Sequence, residues 1–282
     1  MPPSNNPKYT FLLCFDFDGT LAHPSHDPHF HPRTLEYLKA LRGAGAAWVV
    51  ISGRGLKNLL RGFGENGLFT LPDLIVANEY EIYLPDGMNG WSSAGSWNQQ
   101  ISRAQVQFRR GHLRFLRDLQ QWVKTDAKAD MLEDETGNWG IVAETIDEME
   151  RICGRIESFQ RELPDLGFHR NGRHLRFSHA GYNKGAALAE LGRMLEIGPE
   201  RTFTAGDNHN DLPMLAPELA RFGASPANAE EEIKNHLRDT SGYVANAEAS
   251  LGMMEAMRYF FQANLDELKI TTQGKDPLLE NK

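Results

Sequence analysis

The chain has 282 residues, enough for one large domain or two ordinary ones, and its 40% hydrophobic and 24% charged content is that of a soluble globular protein. A formal net charge of −8 argues against a general nucleic-acid binder, which would be basic, and no apolar run approaches the ~20 residues of a membrane span. Residues 1–7 are polar and Pro-rich without the apolar centre of a signal peptide, and Cys14 and Cys153 read as small core residues rather than a disulfide pair, so a reducing, cytoplasmic location is expected.

The first segment alternates strand and helix. An apolar run over 9–15 reads as a buried parallel strand. Residues 33–42 form a helix with Leu35, Leu38 and Leu41 on one stripe, 46–51 a second strand, 56–63 a helix and 74–77 a third strand. This βαβαβ order implies a parallel sheet with helices on its faces. After about Tyr83 the pattern changes. Residues 86–98, crowded with Gly, Ser, Asn and Trp, read as loop. A long amphipathic helix follows over 102–124, then an antiparallel pair over 131–135 and 139–144, a helix over 146–163, and a hairpin over 166–170 and 174–178 around Asn171-Gly172. Hairpins and helices without βαβ alternation indicate an inserted α+β module. From Asn183 the alternation returns: helix 184–195, strand 201–205, short helix 212–216, strand 220–223, helix 230–236, strand 243–245 and helix 252–265. The polar residues after about Thr271 are expected to be disordered.

Four polar signals sit just after a predicted strand or at a helix start: Asp16 with Asp18, Ser52, Lys184, and Asp207 with Asp211. In a doubly wound sheet these ends converge on one crevice. Asp16 and Asp18, two apart on an extended segment, share a face, and anions so close repel unless a cation or proton offsets them. Carboxylate oxygens suit Mg²⁺, whereas zinc would call for His or Cys at these positions. The hydroxyl and the ammonium suit a phosphoryl group. Singly, Ser52 could cap the next helix, Lys184 could be a surface lysine, and the aspartates could be turn residues. A lysine at a helix start is nevertheless awkward, because it meets the positive end of the dipole.

Together these motifs resemble those of the haloacid dehalogenase-like hydrolase superfamily. The matching segments are Asp16-Phe17-Asp18-Gly19-Thr20, Ser52 in Val50-Ile51-Ser52-Gly53-Arg54, Lys184 in Asn183-Lys184-Gly185, and Gly206-Asp207-Asn208-His209-Asn210-Asp211. The insertion resembles the cap of the sugar-phosphatase branch, nearest the sucrose-phosphate phosphatases and Cof-type sugar phosphatases. The resemblance implies an α/β fold: a Rossmann-like doubly wound parallel-sheet core over 1–82 and 182–272, interrupted by an α+β cap over 83–181 that selects the substrate, with a tail over 273–282. It implies Mg²⁺-dependent hydrolysis of a phosphomonoester, a sugar phosphate such as sucrose phosphate or a related hexose or amino-sugar phosphate. Asp16 would be the nucleophile and Asp18 the proton donor and acceptor. Mg²⁺ would be held by the carboxylates of Asp16 and Asp207 and the backbone carbonyl of Asp18. Ser52, the N–H of Gly53, Lys184 and Asn210 would hold the phosphate, and Asp211 would orient Lys184 or a metal-bound water. The expected partner is a small phosphate ester, not nucleic acid or membrane, and the expected state a monomer or weak dimer. Two rivals remain: a mutase-type phosphotransferase on the same core, and a non-catalytic phosphate-binding regulator.

Other signals are weaker. His23, His26, His29 and His31 are irregularly spaced and read as a flap rather than a zinc site. The basic residues Arg109, Arg110, His112, Arg114 and Arg117 of the long helix, and His169, Arg170, Asn171, Arg173 and His174 of the hairpin, both offer contacts to sugar hydroxyls, and the sequence does not choose between them. Trp91 and Trp97 could stack on a sugar or serve as packing. The family often has a Gly-containing turn where this chain has Asn78-Glu79-Tyr80-Glu81-Ile82.

Overall fold

The computed structural model describes residues 9–87, 90–133 and 137–264. The tail expected over 273–282 and part of the strand expected over 131–135 lie outside these. Among the described residues no helix is long and apolar enough to cross a membrane.

The chain forms β1 (Phe11–Phe15), α1 (Pro32–Gly43), β2 (Ala46–Ile51), α2 (Leu56–Glu65), β3 (Leu74–Ala77), β4 (Glu81–Pro85), β5 (Trp91–Ser93), α3 (Gly95–Asp126), β6 (Ala129–Glu133), β7 (Trp139–Ala143), α4 (Ile146–Glu157), β8 (Leu166–Asn171), β9 (His174–His179), α5 (Lys184–Leu195), β10 (Thr202–Ala205), β11 (Phe222–Ser225), α6 (Glu231–Asp239), β12 (Tyr243–Val244) and α7 (Ala249–Asn264). Eight strands form one sheet in the order β12-β11-β10-β1-β2-β3-β4-β5. The six strands from β12 to β3 are parallel, and β4 and β5 add an antiparallel edge. The fold is α/β, as expected.

β1 is buried on both faces, so its apolar run is continuous. Phe11, Leu13 and Phe15 pack with residues of α1, α2 and α7, while Leu12 and Cys14 pack with residues of α5. Cys14 and Cys153 are both free and buried. The chain winds from β1 outward to β2 and β3, then returns to the other side of β1 through β10 and β11. The strand order therefore reverses between β1 and β10, where open sheets of this kind leave a crevice at their carboxyl edge.

The reading of 86–98 as loop is corrected. β5 pairs Tyr83 with Ser93 and Leu84 with Ser92, and α3 starts at Gly95, well before residue 102. The small polar residues that suggest loop occupy a short, mostly exposed edge strand, where burial imposes no apolar pattern. Pairing with the eight-stranded sheet thus continues to Ser93. Asn98 ties the start of α3 to this edge, accepting from the Ile82 N–H at 2.9 Å and donating to its carbonyl at 2.8 Å. The helix expected over 146–163 ends at Glu157, and turns carry the chain into β8.

The second sheet has the order β6-β7-β9-β8 and is antiparallel. α3 and α4 cover one face. Phe108, Leu116, Met149 and Ile152 pack there on Met131, Ile141, Leu175 and Phe177, forming a hydrophobic cluster of their own. Alternation turns Asp130, Leu132, Val142, His174 and Arg176 to the other face.

Candidate active site

The carboxyl ends of β1 and β10 set Asp16 and Asp207 side by side. Gly19, in the left-handed region at φ 84°, turns the chain after Asp18, and the Asp207 carboxylate lies where a Cβ on Gly19 would stand. Thr20 Oγ1 donates to Asp207 Oδ1 at 2.6 Å. After β10 the chain makes a 3₁₀ turn over His209–Met214. Asp211 Oδ2 accepts from the N–H groups of Asp207 and Asn208, both at 2.9 Å, and so caps that turn.

α5 brings Lys184. Asn183 caps this helix, its Oδ1 accepting from Ala186 N at 2.9 Å, which leaves Lys184 in the first turn. Lys184 is fully buried and donates to Asp16 Oδ1 and Asp211 Oδ1, each at 2.6 Å. Burial opposes its charge, but Asp16, Asp211 and Glu79 outweigh that and hold the ammonium well above its ordinary value. The lysine is not a surface residue, and the two carboxylates answer the objection from the helix dipole.

Carboxylate oxygens of Asp16, Asp207 and Asp211 all lie within 4.8 Å of one another, and all three residues are buried. Burial drives Asp16 well above the usual carboxylate range, against the pull of Lys184. Burial, then the neighbouring Asp211, push Asp207 up to about 7. Such crowding is what a divalent cation would relieve. Both Asp211 oxygens are taken, by Lys184 and by the backbone. Asp16 and Asp207 each have one oxygen engaged, and among the described residues no hydrogen bond takes the second of either, which leaves it for a cation.

Asp18 stands apart from that group. Its carboxylate receives a bidentate pair from Arg54, Nε to Oδ2 at 2.7 Å and the second guanidinium nitrogen to Oδ1 at 2.6 Å, and Arg54 packs over the Phe17 ring. Ser52 is buried, and its Oγ accepts from Arg54 N at 3.1 Å. It does not cap α2, whose cap position is Gly55. Asn210 is buried and donates from Nδ2 to Glu79 Oε1 at 2.9 Å.

A cleft of about 890 Å³ opens over these residues. Asp16, Asp18, Ser52, Gly53 and Asn210 line its floor, with Lys184 and Asp207 in contact beneath. The open face of the four-stranded sheet forms its roof. Between the two basic groups the structure chooses the hairpin: His169, Arg170, Asn171 and His174 line the cleft, joined by Arg176. On α3, Arg109 bonds Asn138, Arg114 faces solvent beside Asp118, and the His112 ring bonds the Phe108 carbonyl. Trp97 donates to the Tyr80 carbonyl and packs on Tyr182, while Trp91 packs on the main core, so both serve as packing. The histidine loop is tied down rather than left as a free flap: His26 pairs with Glu248, His29 with Asn66, and His31 caps α1.

Sequence reasoning assigned no role to Glu79, Thr20 or Arg54. Thr20 and Arg54 lie inside the quoted motifs, so position alone was a signal. For Glu79 the signal was a carboxylate in a turn where a glycine is usual.

A haloacid dehalogenase-like hydrolase family model matches residues 106–249, just over half of the chain, a span that includes Lys184, Asp207 and Asp211 but not Asp16 or Ser52. A phosphoglycolate phosphatase of Methanosarcina acetivorans is 34% identical over 77 residues, which are 27% of this chain and 31% of that protein. The chain therefore spans under a third of this curated relative. Among solved structures, a sucrose-phosphatase from Synechocystis sp. in complex with sucrose and phosphate superposes with a TM-score of 0.70 at 19% identity, over 89% of this chain and 98% of that one. A sugar phosphatase of haloacid dehalogenase subclass IIB gives a TM-score of 0.55 at 19% identity with the same coverage. These two likenesses carry the fold. The family match, falling on the same site that the buried aspartates and lysine mark, places this chain among the haloacid dehalogenase-like hydrolases.

Proposed function

We propose that this hydrolase is a phosphatase that cleaves a phosphomonoester, a sugar phosphate, through an aspartyl-phosphate intermediate on Asp16. The observation that carries the reading is the convergence of Asp16, Asp207 and Lys184 at the reversal of strand order, under one cleft that also receives Asp18, Ser52 and Asn210. Lys184 orients and partly neutralises Asp16 without protonating it. Asp16 attacks phosphorus in line, and the bond from phosphorus to the leaving oxygen breaks as Asp18 gives that oxygen a proton. Asp18 then takes a proton from water, the water oxygen attacks phosphorus, and orthophosphate leaves with Asp16 restored. Arg54 holds Asp18 in place at the edge of the cleft, and one of its two bonds gives way when the oxygen it holds takes the proton. Ser52, the Gly53 N–H, Asn210 and Lys184 hold the phosphoryl oxygens.

The donor set fits Mg²⁺: hard oxygens, crowded and buried, with one free oxygen on each of Asp16 and Asp207. Those two carboxylates, with the backbone carbonyl of Asp18, would hold the ion. When bound it would offset the like charges of nucleophile and phosphate.

The four-stranded unit is read as a cap that covers the leaving group. Its open face mixes Asp130, Asn171, His174 and Arg176 with apolar Leu132 and Val142, a combination suited to a polyol, which presents hydroxyls and C–H faces together. The activity on phosphate esters named for the relatives points the same way. The test is orthophosphate release from a panel of sugar and amino-sugar phosphates, with and without Mg²⁺. Release from at least one ester only with Mg²⁺ is expected. Transfer to a second sugar instead of water would replace the reading with a phosphotransferase, and no turnover of any ester would end it.

A further inference from the structure

One acid on the floor of the cleft has no part in this chemistry. Glu79 follows β3 in a turn where Asn78 and Glu79 both have positive φ, 52° and 77°, a conformation that asparagine tolerates but that strains a side chain such as glutamate. Its carboxylate is buried yet lines the cleft. Oε1 accepts from Asn210 Nδ2 at 2.9 Å, Oε2 lies 3.9 Å from Lys184 Nζ without a hydrogen-bond partner among the described residues, and a Cβ on Gly53 would stand 2.5 Å from Oε1. The Glu79 N–H donates to the Ser52 carbonyl at 2.9 Å, which pins the turn against the same segment.

Of the four residues assigned to the phosphoryl group, the carboxylate therefore bonds Asn210, pairs with Lys184 at 3.9 Å, and stands where a Cβ on Gly53 would be. A carboxylate and a phosphoryl edge make the same demands, two oxygens and a negative charge. Backbone strain, a buried anion and an orphaned oxygen all fall on this one side chain, each of them unfavourable. Lys184 does not require it, having Asp16 and Asp211 at 2.6 Å. The glutamate's bond to Asn210 and its charge beside Lys184 offset part of that cost, and occupancy of an anion cradle gives the position a further reason.

We propose that Glu79 sets the phosphate affinity of this protein: its carboxylate fills the phosphoryl pocket, and a substrate phosphate binds by displacing it into the adjoining cleft. The proposal rests on the phosphatase reading above. It makes Glu79 a specificity-determining residue, one that penalises weakly held anions and favours an ester whose sugar is also gripped by the roof.

The test is calorimetric titration of orthophosphate into the full-length protein at fixed pH and saturating Mg²⁺, for wild type, Glu79→Gln and Glu79→Gly, with steady-state hydrolysis of p-nitrophenyl phosphate alongside. Removing the competing charge should tighten orthophosphate by about tenfold in both variants and lower KM in parallel. Glu79→Gly, which also relieves the positive φ, should melt no lower than wild type. If Glu79 merely braces Asn210 and Lys184, both variants will bind orthophosphate equally or more weakly and melt lower, and the proposal falls. Failure of the phosphatase reading looks different: the wild type would release no phosphate from any ester.

Discussion

On the floor of the cleft Asp16, Lys184 and Asn210 are buried and paired with other side chains, whereas on the roof Asn171, His174 and Arg176 are exposed and face an open volume. Lys184, Asp16, Asp211 and Asp207 form a chain of contacts at 2.6–2.9 Å that also caps a 3₁₀ turn. Across the cleft, Asn171, His174 and Arg176 lie exposed on strands whose opposite face carries a separate hydrophobic cluster. A buried charge network holds a reacting geometry to a fraction of an ångström but tolerates no change. An exposed face on an independent core can vary without disturbing the fold, which is where choice of leaving group can be placed.

The sharpest way to break this contrast is Asp16→Asn, which should lower kcat by about 10⁴ or more, read as orthophosphate release. Undiminished release would remove Asp16 from the chemistry. Next, Lys184→Ala strands two buried carboxylates and should cost about 3–5 kcal/mol in urea unfolding, whereas Arg176→Ala on the roof should stay within about 0.5 kcal/mol. Equal losses would mean that the roof is as tightly coupled as the floor.

The floor should also respond to pH. The folded Asp207, raised to about 7 by burial and Asp211, holds a proton that the unfolded chain releases near 4. Its contribution to stability is full below that lower value and is lost as pH rises toward 7, with Asp16 shifted in the same direction. Metal-free protein should therefore melt progressively lower from pH 4 to 7.5, and Mg²⁺ should reverse the loss. Apparent Mg²⁺ affinity should weaken by about tenfold per unit below pH 7, measured by titration. A flat profile would mean that the aspartates are not crowded as described.

Smaller effects refine the picture at the edge between the two regions. Arg54→Ala frees Asp18 and should lower kcat by about tenfold with KM little changed, and Arg54→Lys should not restore it, since the pair is bidentate. On the roof, His174→Ala should raise KM for the preferred sugar phosphate several-fold, about the worth of one hydrogen bond, and more than it does for p-nitrophenyl phosphate.

Much of the fold and of the floor was legible in the chain. Parallel strands buried on both faces announce themselves as apolar runs, as in β1 and β2. The turns that follow them must carry particular residues, so Asp16, Ser52, Lys184 and Asp207 could be picked out one by one. β5 escaped notice because an exposed edge strand of three residues carries no hydrophobic period. The roof was illegible for a related reason. Two equally basic segments competed for it, and only the pairing of β8 with β9 and the packing of α3 decided that the hairpin faces the cleft. Local sequence determined which groups the chemistry has at its disposal, because strand ends and helix starts constrain residue type nearby. Tertiary structure alone decided that Arg54 meets Asp18 across 36 positions and Glu79 meets Asn210 across 131, because contacts at such separations are set by how sheets close and leave no local period to read.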